Sequence, residues 1–349
     1  MTAPARPLTT PLTRAAGIDL PVIGGAMYPC SNPELVAAVS AAGGIGIVQP
    51  ISLTFVFKHD YRAGLRLIRS LTDRPIGMNA LIEGSSTRYR RQMEEWIDIS
   101  LEEGVRFFVT SLGNPRWVAE RAHAVGGLVY HDVTERKWAQ KALDAGVDGF
   151  IAVNADAGGH AGSRSPEALI AELSDLGRPV VCAGGVSTPE GFVRALRLGY
   201  AGVQMGTRLI ATPECGCSDE YKAAIVAASA ADIVHTERVT GVPIAVIDTP
   251  CVRKVGLKAG PIARRMLRGR RTKHWMRSIY ALRSLFRLRR SSFAPAGTST
   301  ADYWQAGRSV AGVQKIEPVA DILGAFRAAG TAAFPGEVPG FPGAPGPHP

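Results

Sequence analysis

PVVCAGGVSTPEGFVRALRLGYAGVQMGTR, residues 179–208, reads as strand, turn, helix, turn and strand again. Val180–Cys182 is a short β-rich run. Thr188-Pro189 puts a capping residue before a proline at the first helical position, and Leu198-Gly199 ends the helix just before the next strand, Gly202–Met205. Outward from this stretch the same unit recurs. Strands are expected at Val22–Gly24, Ile45–Val48, Ile76–Met78, Phe107–Val109, Leu128–Tyr130 and Gly149–Val153 as well. Helices fit at Pro33–Ala42, Tyr61–Leu71, Arg88–Glu103, Pro115–Ala124, Glu135–Ala145, Pro166–Leu176, Pro189–Leu198 and Asp219–Ala230. Eight strands and eight helices, with strands about 21 to 31 residues apart, match an α/β (β/α)8 TIM barrel. The rival, an open doubly wound sheet, would carry G-x-G-x-x-G after its first strand. Gly24-Gly25-Ala26-Met27 does not fit that pattern.

Active sites of such barrels lie at the C-terminal ends of the strands. The residues there are Gly25-Ala26-Met27, Asn79, His131-Asp132, Asp156–Gly162, Ala183-Gly184-Gly185 and Gly206-Thr207-Arg208. The last two suit a phosphate: glycines admit it to backbone N–H groups, and a hydroxyl sits beside them. His160 stands between small residues that leave room for a ligand, and a histidine exchanges a proton near neutral pH. His131 is open between catalysis and packing. His59, His123, His235 and His274 read as helix or surface residues.

The 349 residues are 46% hydrophobic and 20% charged, enough to bury a large core, which excludes wholesale disorder. Five cysteines, at 30, 182, 215, 217 and 251, show no zinc-ligand spacing, and no metal is expected. Their odd number, with no apolar leader in MTAPARPLTTPLTR, reads as reduced thiols and a cytoplasmic location. No stretch approaches the roughly 20 apolar residues of a transmembrane helix. Cys182 reads as a core residue in a strand. Cys215 and Cys217 are candidates for redox chemistry, although such close neighbours seldom bridge without strain.

The net charge of +10 is concentrated. Fourteen Lys and Arg fall between Arg253 and Arg290, no Asp or Glu occurs from Thr249 to Ala301, and the remainder carries −4. The segment is either a solvated helix face or a surface for an acidic partner, such as a phosphorylated cofactor, an acyl carrier or a lipid surface. Nucleic acid is not expected, because no binding motif or aromatic platform accompanies the charge. Trp275, Ile279, Leu282 and Phe286 form an apolar stripe at helical spacing, to be read as core packing or as a lid over the barrel mouth.

Taken in order, PVIGGAMYP (21–29), LVAAVSAAGGIGIV (35–48), GMNALI (77–82), AGVDGFIAVNADAGGHAG (145–162), PVVCAGGVST (179–188), AGVQMGTRLIATPEC (201–215) and DYWQAGRSV (302–310) resemble the flavin-dependent nitronate monooxygenases, formerly 2-nitropropane dioxygenases. The same fold family includes flavin-dependent enoyl-acyl-carrier-protein reductases and NADH:quinone reductases. The resemblance runs from about Thr9 to Leu323. It implies an FMN-binding barrel with a smaller helical domain over its mouth. Ala26 and Met27 fall where the family contacts the flavin ring, Asn79 on its FMN-contacting asparagine, and Gly158 and Gly159 in the AGGH loop beside the ring. Gly184, Gly185, Gln204, Met205, Gly206 and Thr207 fall on the phosphate-binding positions. His160 falls on the histidine that acts on substrate as base or hydrogen-bond donor. Two positions depart from the family, and the basic insert, which interrupts the resemblance, is no part of its common pattern. Val153-Asn154-Ala155-Asp156 lacks its Gln-Gly, and His131-Asp132 replaces His-Lys, exchanging a cation for an anion.

The expected organisation is a disordered 1–8, the barrel at 9–248, a basic insert or lid at 249–300, a closing segment at 301–333 and a disordered Pro/Gly-rich tail at 334–349. The expected function is oxidation of nitronates or nitroalkanes, with O2 reoxidising FMN, to a carbonyl compound and nitrite. The alternatives are an NAD(P)H-dependent enoyl-acyl-carrier-protein or quinone reductase and, more remotely, a non-catalytic barrel that binds a phosphorylated ligand.

Overall fold

A computed structural model describes residues 7–83, 86–260, 273–293, 302–335 and 338, without the side chains of 273–279 and 281. All eight expected barrel strands are present: β1 Val22–Gly24, β2 Ile45–Val48, β3 Ile76–Ile82, β4 Phe107–Leu112, β5 Leu128–Val133, β6 Gly149–Val153, β7 Val180–Ala183 and β8 Gly202–Met205. They close in sequence order, and β1 pairs with β8 in parallel, Val22 opposite Val203. Closure excludes the open sheet.

Register decides what each side chain meets, because parallel partners share a side and successive residues alternate. Ile23, Ile45, Ile47, Phe107, Val109, Tyr130, Ile151 and Val181 point inward and pack together. Leu12 joins them from a short helix, α1 (Pro11–Ala16), that the repeat did not announce. Met78, Phe108, Val129, Phe150, Cys182 and Val203 point outward into the helix layer. Each fully buried side chain of this size stabilises the fold by about 1.5–3 kcal/mol.

Seven helices follow their strands: α2 Pro33–Ala41, α3 Tyr61–Leu71, α4 Thr87–Glu102, α5 Arg116–His123, α6 Arg136–Asp144, α7 Pro166–Leu173 and α8 Pro189–Arg197. Thr188 caps α8 as expected, accepting from the Gly191 N–H, and Ser165 caps α7 in the same way, accepting from the Ala168 N–H. Asn32 holds the cap position of α2 but makes no capping bond; its side chain bridges to residues 214–216 instead.

The eighth helical place differs from the sequence reading. Thr207–Ile210 (α9) and Asp219–Ala227 (α10) follow β8, yet neither packs between α8 and α2. A C-terminal helix, Val319–Ala333, does so, with Phe326 stacked on Phe192 at 5.2 Å between centroids. Everything from about 211 to 318 is therefore inserted between the last strand and its helix.

That insertion includes a helix from Lys273 to Phe293. Of the two readings of the apolar stripe, core packing is corrected here. Leu282 is 60% and Phe286 54% exposed, while Ser284, Leu288, Ser291 and Ser292 are the buried residues. Helix phase explains it, since the face holding 284, 288 and 291 is the one turned to the body. The side chains of Trp275 and Ile279 lie outside the described residues. Leu8, Phe334 and Val338, at the inner ends of the two expected tails, are buried in the main core. Residues 1–6, 336–337 and 339–349 of the two expected tails lie outside the described residues.

Candidate active site

The inward face changes character toward the C-terminal ends of the strands. Asn79, Asp132 and Gln204 lie two residues beyond Gly77, Tyr130 and Gly202, opposite the inward-facing Val109, Ile151 and Ala183. Asp132 Oδ1 and Gln204 Oε1 are buried without a hydrogen-bond partner. Each such atom costs about 1–3 kcal/mol. A fold keeps that cost when a ligand supplies the missing partner. Burial also pushes the Asp132 carboxyl up to about 7. The anion expected at this position is therefore partly neutral at pH 7.

Beside this layer lies a cradle of backbone. Gly184 has φ +115°, and a Cβ there would come within 2.6 Å of the Ala157 nitrogen. Gly185 follows at φ +80°, again in the region that disfavours a side chain. On β8 the turn continues at Gly206, against Met27, and at the buried Thr207. The Thr207 hydroxyl accepts the Gly307 N–H at 3.0 Å and keeps its own proton to donate. Gly25 donates to the Met205 carbonyl, and Ala26 packs on the barrel interior. Met205 is one residue out of phase with Gln204, so its side chain is buried in the outer wall and its backbone faces this region.

Asn154, fully buried, joins two of these loops. Its amide donates to Gly184 O at 3.0 Å, and its Oδ1 accepts from the Asp156 N–H at 2.9 Å. Its backbone bonds Ala183 O and the Gly162 N–H. Sequence reasoning registered Asn154 only as a missing Gln and missed its role in fixing the loop that carries His160.

A roof built from distant segments holds the other side of that loop. Ile233–Thr236 (β9) and Ile244–Ile247 (β10) form an antiparallel hairpin absent from the sequence reading. Ala245 donates to Gly159 O at 2.7 Å, and Ile247 donates to Trp304 O at 2.9 Å. Gln305 reaches Tyr28 O, and Arg308 N–H reaches Asp156 O. Gly158 abuts Ala306 and Gly307 so closely that a Cβ would lie 3.0 Å from the Gly307 nitrogen. The 273–293 helix rests on the loops after β1 and β2. Tyr28 Oη donates to Leu285 O at 2.7 Å, and Phe286 meets the Phe55 ring edge-on.

His160 is exposed to solvent, yet desolvation by the protein around it holds its pKa below the usual value. The ring is open to solvent on one side, while the protein packed around the rest of it disfavours its cation. At pH 7 the imidazole is neutral and fit to accept a proton. His131 is different. It faces outward and is buried, with Nδ1 2.8 Å from the Thr110 hydroxyl, and burial lowers its pKa to about 4. It packs the wall.

The eight-stranded parallel barrel thus carries a polar layer, a glycine cradle and an exposed histidine at the C-terminal ends of its strands. The family profile described as nitronate monooxygenase matches residues 9–325. The chain belongs to the nitronate monooxygenase family. It is 31% identical over 261 residues to the (3aS,4S,5R,7aS)-5-hydroxy-7a-methyl-1-oxo-octahydro-1H-indene-4-carboxyl-CoA dehydrogenase of Mycobacterium tuberculosis, covering 74% of this chain and 70% of that protein. It is 31% identical over 277 residues to a nitronate monooxygenase of Pseudomonas aeruginosa, covering 67% and 78% respectively. Among solved structures, FabK from Thermotoga maritima superimposes with a TM-score of 0.75 at 27% identity, covering 93% of this chain and 97% of that one. The protein is an enzyme, an oxidoreductase of this family. Among the described residues no helix is long and apolar enough to cross a membrane.

Proposed function

We propose that the protein is an FMN-dependent nitronate monooxygenase. The observation that carries the flavin is the pair of partnerless atoms, Asp132 Oδ1 and Gln204 Oε1, facing the mouth beside the Gly184-Gly185 and Gly206-Thr207 turns. A flavin ring and its ribityl chain carry N–H and O–H donors for such acceptors, and the turns suit its phosphate. When bound, FMN supplies the electron transfer to O2. The chain's own residues do the rest. Asn154 fixes the loops after β6 and β7, Thr207 and the glycines hold phosphate, and Ala26, Met27 and Asn79 border the ring. His160 takes the carbon proton of a neutral nitroalkane or donates a hydrogen bond to a nitronate. The products are a carbonyl compound and nitrite.

A second reading is an NAD(P)H-dependent reductase of an enoyl thioester. It is favoured by the arginine-rich helix seated at the mouth, which suits the phosphates of a coenzyme A or acyl-carrier thioester. Anaerobic mixing separates the two: a nitronate bleaches the flavin in the first, NADH or NADPH in the second. His160→Ala tests the residue. Flavin stays bound, and reduction by a neutral nitroalkane slows roughly 10²–10⁴-fold, whereas reduction by a preformed nitronate changes little. Equal rates for wild type and variant with every substrate would remove His160 from the chemistry.

A further inference from the structure

Cys30, Cys215 and Cys217 are far apart in sequence and together in space. Their three Sγ atoms all lie within 4.8 Å of one another, and all three residues are buried. Cys30 lies on the loop after β1, and the other two follow α9. The two segments are clamped independently of the thiols. Asn32 accepts the Gly216 N–H at 3.1 Å and donates to Glu214 O at 2.8 Å, and Thr212 Oγ1 accepts the Cys215 N–H at 3.3 Å. The sulfurs are thus preorganised rather than left to collapse by chance.

We propose that these three cysteines form a binding site for one copper(I) ion in trigonal thiolate coordination. Soft thiolates select copper(I) and zinc among the common metals. The spacing fits, since an ion about 2.3 Å from each of three sulfurs sets them about 4 Å apart. Ligand number separates the two metals. Structural zinc takes four ligands, commonly all Cys or His. This group contains three, and the further contacts of its sulfurs are the carbonyls of Cys30 and Ile210, at 3.6 and 3.9 Å. Copper(I) needs no fourth ligand and no water. Three thiolates and one copper(I) carry −2, and Lys222, buried and acting electrostatically on Cys215, offsets part of it. Binding releases three protons to solvent and changes no oxidation state. The ion would tie the loop that carries Met27 to the segment that enters the roof.

The test is titration of the reduced full-length protein, flavin content recorded, with copper(I) under anaerobic conditions against a competing copper(I) chelator. One copper per chain is expected, with a thiolate-to-metal absorption band and an X-ray absorption spectrum showing three sulfur neighbours. Cys30→Ser and Cys217→Ser should each lower retention more than 100-fold, while Cys251→Ser, outside the cluster, leaves it unchanged. The wild-type sulfur count decides the matter even where a serine variant does not fold. No copper retained, zinc bound in preference with a non-sulfur fourth ligand, or a disulfide between two of the three in the anaerobic protein would each overturn the site.

Discussion

On β5, Tyr130 and Asp132 point into the same barrel two positions apart and meet opposite surroundings. Tyr130 is 1% exposed, with its ring 5.0 Å from Phe107 among Ile151 and Val109. Asp132 has a buried oxygen with no partner. The same contrast runs along β8, from Gly202, which admits Leu12, to the orphaned Gln204. The lower barrel gains free energy from burial, whereas its upper layer forgoes some. That difference separates the part of the interior that holds the fold from the part proposed to receive the flavin.

The largest test removes the ligand's seat. Gly185→Asp puts a side chain at φ +80°, beside Asp156, and a carboxylate where a phosphate is proposed. Flavin content after purification should fall below about a tenth of wild type, measured by absorbance after denaturation, by analogy with a lost charged hydrogen bond compounded by repulsion. Full occupancy would misplace the cradle.

Phe107→Ala attacks the lower layer. It should cost about 3–5 kcal/mol in urea unfolding while the folded fraction keeps its flavin. Loss of flavin without loss of stability would reverse the assignment of the two layers.

A smaller effect, of opposite sign, is expected one layer up. Gln204→Met keeps volume and removes the orphaned oxygen. The flavin-free protein should gain about 1–3 kcal/mol, and flavin should bind more weakly. A destabilised flavin-free variant would show that Gln204 Oε1 already has a partner.

Asp132→Asn gives the smallest change at acid pH and a growing one toward neutrality. An unfolded Asp releases its proton near about 3.9, whereas the folded carboxyl holds its proton up to about 7. Between those values the folded state binds more protons. Its stability therefore falls as pH rises and levels off above the folded value. The stability of the Asn variant relative to wild type should climb across that window in flavin-free protein. A difference independent of pH would mean that water reaches the carboxylate.

The repeat made the barrel legible. Each strand carried its β-rich run, and caps such as Thr188-Pro189 marked helix starts. The glycine turns were legible too, because only glycine tolerates Gly184's approach to Ala157. What escaped depends on long-range partners. Asn154 reads as an ordinary polar residue until Gly184 is placed beside it. Hairpin 233–247 has few residues per strand and no tight Asn-Gly turn to announce it. The core reading of the helix stripe failed at Leu282 and Phe286 because spacing alone does not say which helix face meets the body, and here the face with Ser284, Leu288 and Ser291 does. Cysteine spacing missed the thiol cluster because Cys30 stands 185 residues from Cys215.

The insertion between β8 and its helix has a consequence for synthesis. The last barrel strand ends at Met205, but the helix that seals the wall between α2 and α8 begins only at Val319. Thr207 likewise waits 100 residues for Gly307. At about 5–20 residues per second, a ribosome exposes all eight strands some 5–20 seconds before it delivers the residues that close them. Nascent chains in that interval carry a breached wall with Phe192 unpartnered. Messages truncated after codon 300 should therefore yield products that bind chaperones and retain no cofactor, although every β-strand of the barrel is encoded.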